Sequence, residues 1–258
     1  MEQCRLCLRP VNRLEDSHFL SKGIYRILRD DNSQNPHPWL LSRRKPVQSS
    51  RQMKARLLCW DCEQRFSRSG EDWVLKHCLH RDGSFPLASI LASKTPDLSS
   101  PENPTRIYHA SGIPEINISA LAYFAASTFW RGSIHPWNDD GSIPVRLGPF
   151  QEQFRQYLMS LRAFPKDCSL WVMVRDGKEI DRLTYSPIGE RKGNFHVYKF
   201  PMPGLAFSLV VSKNIPATHR ERCFVHGPGN PVIVTTIIEK LLLNDAVRMR
   251  QRSLGLPA

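Results

Sequence analysis

No stretch of this 258-residue chain reaches the roughly 18 continuous apolar residues of a membrane-crossing helix. The longest candidate, Ile116 to Trp130, is interrupted by Asn117, Ser119 and Ser127. The opening residues, Met-Glu-Gln-Cys-Arg, lack the apolar run of a secretory signal. These absences give the expectation of a cytoplasmic protein with no membrane partner. Internal repeats and low-complexity tracts are also missing, which excludes a solenoid. There is no phosphate loop: His226-Gly227-Pro228-Gly229-Asn230-Pro231 lacks the Lys-Ser/Thr and the helix start, so it reads as a turn. No Ser-His-Asp or reactive-cysteine motif stands out. Acidic residues are scarce, with 24 Asp and Glu against 36 Lys and Arg, for a net charge of +12. That balance points to a polyanionic partner, nucleic acid first.

The hydrophobic content of 41% is enough for a packed core, and 20 prolines imply many loops and short elements. The length suits one large domain or two modest ones. Residues 94–104, with three prolines in eleven positions, read as a linker between a module at 1–93 and a domain at 105–258. In the first part, Leu14 to His18 reads as a short strand. Ser21 to Arg29 reads as a helix with Ser21 as its cap and Ile24, Ile27 and Leu28 on one face. Residues 32–56 look irregular, and a helix is expected from Glu63 to about His80, bent at Ser69-Gly70. In the second part, Asn117 to Arg131 has almost no polar face and predicts a buried helix. Phe150, Phe154, Tyr157, Leu158 and Leu161 mark an amphipathic one. Strands are expected at 170–174, 195–200, 205–211 and 232–236, and a closing helix at 237–250. The order is that of an α+β protein.

Seven cysteines are present, and four of them form two CxxC pairs, Cys4/Cys7 and Cys59/Cys62. A two-residue spacer lets both sulfurs of a pair turn onto one ion, and four thiolates are a preferred structural zinc set. In a reducing compartment such pairs read as a metal site rather than disulfides. The 51 residues between the pairs are too many for a compact zinc ribbon. They suit a treble clef with an inserted loop, the first pair on a knuckle and the second opening a helix. Cys78, Cys168 and Cys223 are expected as buried or free thiols, and His77 and His80 as packing or surface residues. Between Asn32 and Trp60 there is no acid, while Arg43, Arg44, Lys45, Arg51, Lys54 and Arg56 supply six positive charges. This is a phosphate track without base reading, to which His37 and Trp39 add stacking surfaces.

Two segments carry a resemblance. Leu14-Glu15-Asp16-Ser17-His18-Phe19-Leu20-Ser21-Lys22 lies between the pairs, and the second pair lies in Leu57-Leu58-Cys59-Trp60-Asp61-Cys62-Glu63-Gln64-Arg65-Phe66-Ser67. Over residues 1–75 the chain resembles the HNH endonuclease superfamily, in particular a bacterial branch with a CxxC, a Ser-His segment and Leu-Leu-Cys-x-x-Cys-Glu. The resemblance implies a zinc-bound ββα-metal module that hydrolyses phosphodiesters, DNA before RNA, with Mg²⁺ or Mn²⁺. It implies restriction, mobile-element or antiphage settings. His18 matches the family's general base, and Glu63 stands where the helix carries a metal ligand. Ser17 occupies a position that is commonly a ligand, which leaves Asp16 and Glu71 as candidate carboxylates. On a straight helix Glu63 and Glu71 lie about 12 Å apart, so only a break at Ser69-Gly70 returns Glu71 to the site. Lys22 is a candidate phosphate contact.

The C-terminal part reads as a scaffold or recognition domain. Trp130 is expected in the core, with Arg131 capping carbonyls or pairing with a carboxylate. His219, Arg220, Arg222 and His226 surround Cys223 and offer an extension of a nucleic-acid surface. Two other function classes remain open: a catalytically silent zinc module that binds nucleic acid or protein, and a subunit that acts only with a partner such as an ATPase.

Overall fold

The computed structural model describes residues 1–29, 31–32, 34–41, 46–48, 52–100, 102–138, 140–177, 183–184 and 186–236. Strands β1 (Glu2–Gln3) and β2 (Pro10–Val11) pair antiparallel and enclose the first two cysteines. Strand β3 (Glu15–His18) leads into helix α1 (Lys22–Leu28), then β4 (Trp39–Leu41), β5 (Pro46–Gln48) and β6 (Lys54–Leu58). Helix α2 (Trp60–Phe66) continues through a π-helical turn at Ser67–Glu71 into α3 (Asp72–His77). Then follow α4 (Pro86–Ala92), β7 (Leu98–Ser100), β8 (Asn103–His109), α5 (Ile118–Ile134) and α6 (Phe150–Leu158). The remaining elements are β9 (Cys168–Arg175), β10 (Leu183–Thr184), β11 (Ile188–Lys192), β12 (Phe195–Met202), β13 (Leu205–Val211), α7 (Ala217–Glu221) and β14 (Pro231–Thr235).

Among the described residues seven strands form the main sheet in the order β11-β12-β13-β9-β14-β8-β7, antiparallel except for the β9–β14 pair. Helix α5 packs on one face, with Phe124 against the rings of Phe200 and Phe207. The helix starts at Asn117, whose side chain accepts the Ala120 N–H at 2.9 Å and so caps it. It is buried on every side from Ala120 to Ser133, as its uniformly apolar sequence demands. Phe66 meets Tyr123 and Trp130 edge-on across the α2–α5 contact. One continuous apolar core therefore runs from Cys4 to Val234. The protein is a mixed α+β fold with four cysteines clustered near its N-terminus.

Several expectations change. The segment 32–56 is not irregular throughout. Strand β4 pairs with β5 and, in parallel, with β10, and β6 pairs with β3. One partner of β4, the strand β10, and the partner of β6, the strand β3, lie well away along the chain, so local pattern does not announce them. Within 94–104, expected to be a linker, Leu98–Ser100 form the outermost strand of the main sheet. Leu161 does not extend the amphipathic helix. Ser160 turns left-handed at φ 59°, and the Leu161 N–H returns to the Gln156 carbonyl at 2.9 Å. This six-to-one closure ends the helix and leaves Leu161 exposed. The helix expected from Glu63 starts earlier, at Trp60, and at Ser69-Gly70 it widens into a π turn rather than breaks. The helix expected at 237–250 lies outside the described residues.

Candidate metal centre and the adjoining hairpin

Cys4 and Cys7 lie in the reversal between β1 and β2. It is closed by the Leu8 N–H on the Cys4 carbonyl at 2.9 Å and by a left-handed Leu8 at φ 60°. Cys59 follows β6 directly and Cys62 sits in the first turn of α2. The four ligand atoms all lie within 4.8 Å of one another, and the Cys7 and Cys59 sulfurs are 3.8 Å apart. A tetrahedron with metal–sulfur bonds of about 2.3 Å has edges of about 3.8 Å. The Cys59 N–H donates to the Cys4 sulfur at 3.3 Å and Arg9 Nε to the Cys7 sulfur at 3.5 Å. Such outer donors orient thiolates and spread their charge. The Cys4 thiol is drawn well below its ordinary value, first by the Cys62 thiol and then by backbone N–H groups. Donor type, spacing and burial fit a structural metal such as zinc.

Two arginines that sequence reasoning did not single out support this knuckle. Arg9 reaches Asp61 at 2.8 Å, tying the first cysteine pair to the helix of the second. Arg155 of α6 donates to the Leu6 carbonyl at 2.7 Å, 149 residues away in sequence. Its position on the amphipathic helix was visible, but its partner was not. Among the described residues, the four cysteines are the one group of three or more Cys, His, Asp or Glu side chains close enough to share an ion. His77, Cys78 and His80 form no second centre. His77 stacks on Trp73 and Cys78 donates to the Leu75 carbonyl.

Strand β3 runs antiparallel to β6, which feeds α2, so the strand bearing His18 lies beside the helix bearing Glu63. The period-2 alternation of a strand divides β3 between two environments. Ser17 is fully buried and accepts the Leu58 N–H at 3.2 Å. It lies close enough to Glu63 to favour that carboxylate's charge. Asp16 and His18 face outward. The register shift between Glu15 and Asp16 does not turn Asp16 inward: it remains exposed and pairs with Lys54 at 2.6 Å. Asp16 therefore does not join Glu63 or Glu71. His18 is half-buried, and its pKa is lowered first by burial, then by Lys22 and Lys54, with Asp16 opposing. Lys22, Lys54 and Arg56 are exposed on this side. Arg43, Arg44, Lys45 and Arg51, the rest of the expected phosphate track, lie outside the described residues.

Behind the hairpin, Arg131 of α5 is 2% exposed and occupies the space between these elements. Its guanidinium donates to the His18 carbonyl at 2.5 Å and to the Glu71 carboxylate, and it lies 4.9 Å over the Phe66 ring. The π-helical turn explains how Glu71 arrives there. Eight residues of α-helix overshoot two turns by about 80°. A π turn absorbs an extra residue and brings Glu71 back toward the Glu63 side. Glu63 is half-buried, and one of its carboxylate oxygens is buried without a hydrogen-bond partner. Burial raises its pKa, Arg131 and Ser17 lower it, and Glu71 and Glu15 raise it. Thus Glu63, Glu71 and Arg131 converge, with the guanidinium as the cation of the group.

His219, Arg222 and Trp171 form a separate cluster in which Arg222 lies 5.6 Å over the Trp171 ring and His219 touches Trp171 and Phe195. No known protein family, curated protein or solved structure matches the chain.

Proposed function

We propose that residues 1–93 form an HNH-like, treble-clef module held by one structural zinc ion, and that the protein hydrolyses phosphodiester bonds of DNA with His18 as general base. The observation that carries this reading is His18 itself: a half-buried imidazole whose pKa is lowered by burial and by Lys22 and Lys54, at the edge of a hairpin that adjoins the zinc knuckle. A neutral imidazole at physiological pH accepts a proton, and the flanking cations favour a phosphate beside it. His18 removes a proton from water, the water oxygen bonds to phosphorus, and the bond to the leaving sugar oxygen breaks. Lys22, Lys54 and Arg56 hold the backbone without reading bases.

Glu63 is the carboxylate that would hold Mg²⁺ or Mn²⁺, and it stands on the Ser17 side of β3, opposite the side that His18 faces. Glu63 has the unpartnered oxygen, whereas Asp16 and Glu71 are paired with Lys54 and Arg131. When bound by one protein carboxylate, with substrate phosphate and water completing its shell, such an ion would supply charge stabilisation to the departing oxygen.

A second reading is a silent DNA-binding module. It is favoured by the pairing of Glu71 with Arg131 and by the burial of Ser17, which together leave few oxygen ligands free. The two readings separate on incubation of the full chain with supercoiled plasmid and Mg²⁺ or Mn²⁺, beside His18→Ala. The hydrolase reading expects nicking that falls at least about 100-fold in the variant while DNA binding persists. Binding without cleavage in either protein supports the silent module. Cleavage that survives His18→Ala unchanged removes His18 from the role of base. A setting in antiphage defence, or with a partner such as an ATPase, belongs to this same reading and rests on the resemblance alone.

A further inference from the structure

The loop of contacts around His18 closes through a segment more than a hundred residues away. Arg131 donates to the His18 carbonyl across a sequence separation of 113. The Arg131 carbonyl in turn accepts the Trp137 indole N–H at 2.7 Å. The Trp137 ring lies 5.1 Å from that of Phe19, the residue after His18. Phe19 is fully buried, and its N–H is fixed to the Met53 carbonyl at 2.9 Å. A Cβ added to Gly132 would come within 3.6 Å of the Phe19 ring and 2.8 Å of Val145, so the end of α5 lies directly under this strand exit. His18 is thus held at its own carbonyl and through the next residue's ring, both from residues 131–137.

We propose that Arg131 is a positioning residue for His18, and that the 131–137 segment sets where the imidazole stands. The role as base rests on the reading given above, but the positioning does not. A side chain that touches neither water nor substrate acts here by fixing the backbone from which the imidazole projects. Glu71 completes the device by orienting the guanidinium, whose second arm would otherwise have no acceptor. The groups facing His18 are Lys22 from α1, Lys54 from β6, Asp16 from its own strand and Arg131 from α5.

Arg131→Met alone leaves the part-buried Glu71 without its partner, so the informative variant is Arg131→Met with Glu71→Met, which removes both charges and keeps volume. Bound zinc and a cooperative melt establish that the full-length variant is folded. The His18 ring shifts by histidine-labelled NMR are the first readout, and plasmid cleavage with Mn²⁺ the second. Loss of the Arg131 charge by itself raises the His18 pKa, so positioning is read from changed His18 ring shifts at a pH where the imidazole is neutral. Positioning also predicts that kcat falls about 100-fold with KM within about twofold, the effect of a displacement near 1 Å. A folded, zinc-bound variant with wild-type ring shifts and wild-type kcat overturns the proposal. If the double variant does not fold, Trp137→Phe keeps the ring and removes the indole donor. The same changes at smaller amplitude then support positioning, and their absence overturns it. If wild-type protein cleaves nothing, the hydrolase reading fails by itself, and the His18 ring shifts in Trp137→Phe, which leaves the Arg131 charge in place, still decide the positioning.

Discussion

His18 stands between Lys22 and Lys54, yet burial does more than either lysine to lower its affinity for protons. The sign of the consequence is fixed. An ordinary histidine titrates near about 6.5, and a lowered value keeps the imidazole neutral into more acidic solution. The acid limb of the cleavage profile is therefore expected below about pH 6.5, and a rate profile measured from pH 4.5 to 8 locates it. Stability is linked to the same proton. The unfolded chain binds it more tightly than the folded one, so this contribution is complete above the unfolded value and fades as pH falls through the lower folded value. Denaturant midpoints for wild type and His18→Ala should converge in that acidic interval, and parallel curves across it would contradict the assignment.

Among the elements, the widened π turn at Ser67–Glu71 is the least replaceable. Gly70 lies against α5, and a Cβ there would meet the Phe124 backbone nitrogen at 2.8 Å and the Ala120 carbonyl oxygen at 3.1 Å. Those obstacles are main chain, which cannot swing away as a side chain does. Gly70→Ala is expected to cost about 1–3 kcal/mol, as small-to-large changes in packed sites do, despite alanine's better helix propensity. A denaturant melt measures it, and a stabilised variant would refute the contact. The sequence made much of this level readable. The two CxxC pairs announced the metal cluster, the apolar run of α5 announced its burial, and the segments 195–200 and 205–211 announced two strands. It concealed the π turn, because Ser-Arg-Ser-Gly carries no periodic signature of a fifth residue per turn. It concealed β4, one of whose two partners is the distant β10, and β7, a three-residue edge strand among prolines. Glu71 was visible only as a carboxylate at an awkward spacing, and its partner Arg131 only as a polar residue at the end of an apolar helix. Pairing across 60 positions is decided by packing rather than by local pattern.

At the scale of the molecule, the cysteine cluster and the main sheet share one core, because Phe66, Gly70 and Glu71 close on α5 rather than on their own segment. Residues 1–93 expressed alone are therefore expected to show no cooperative melt, even with zinc present, while the full chain shows one. A sharp transition in the fragment would establish an independent unit. The cysteine quartet also has a consequence for the order of folding. Cys7 and Cys59 lie 52 positions apart, and joining the ends of so long a chain costs about 3.5 kcal/mol of entropy beyond a fixed term. An ion gripping all four sulfurs would lift that cost from every later step, like a buckle fastened before the garment is fitted. Refolding with zinc present from the start should then outpace refolding with zinc added last, a difference that stopped-flow fluorescence of the tryptophans would time.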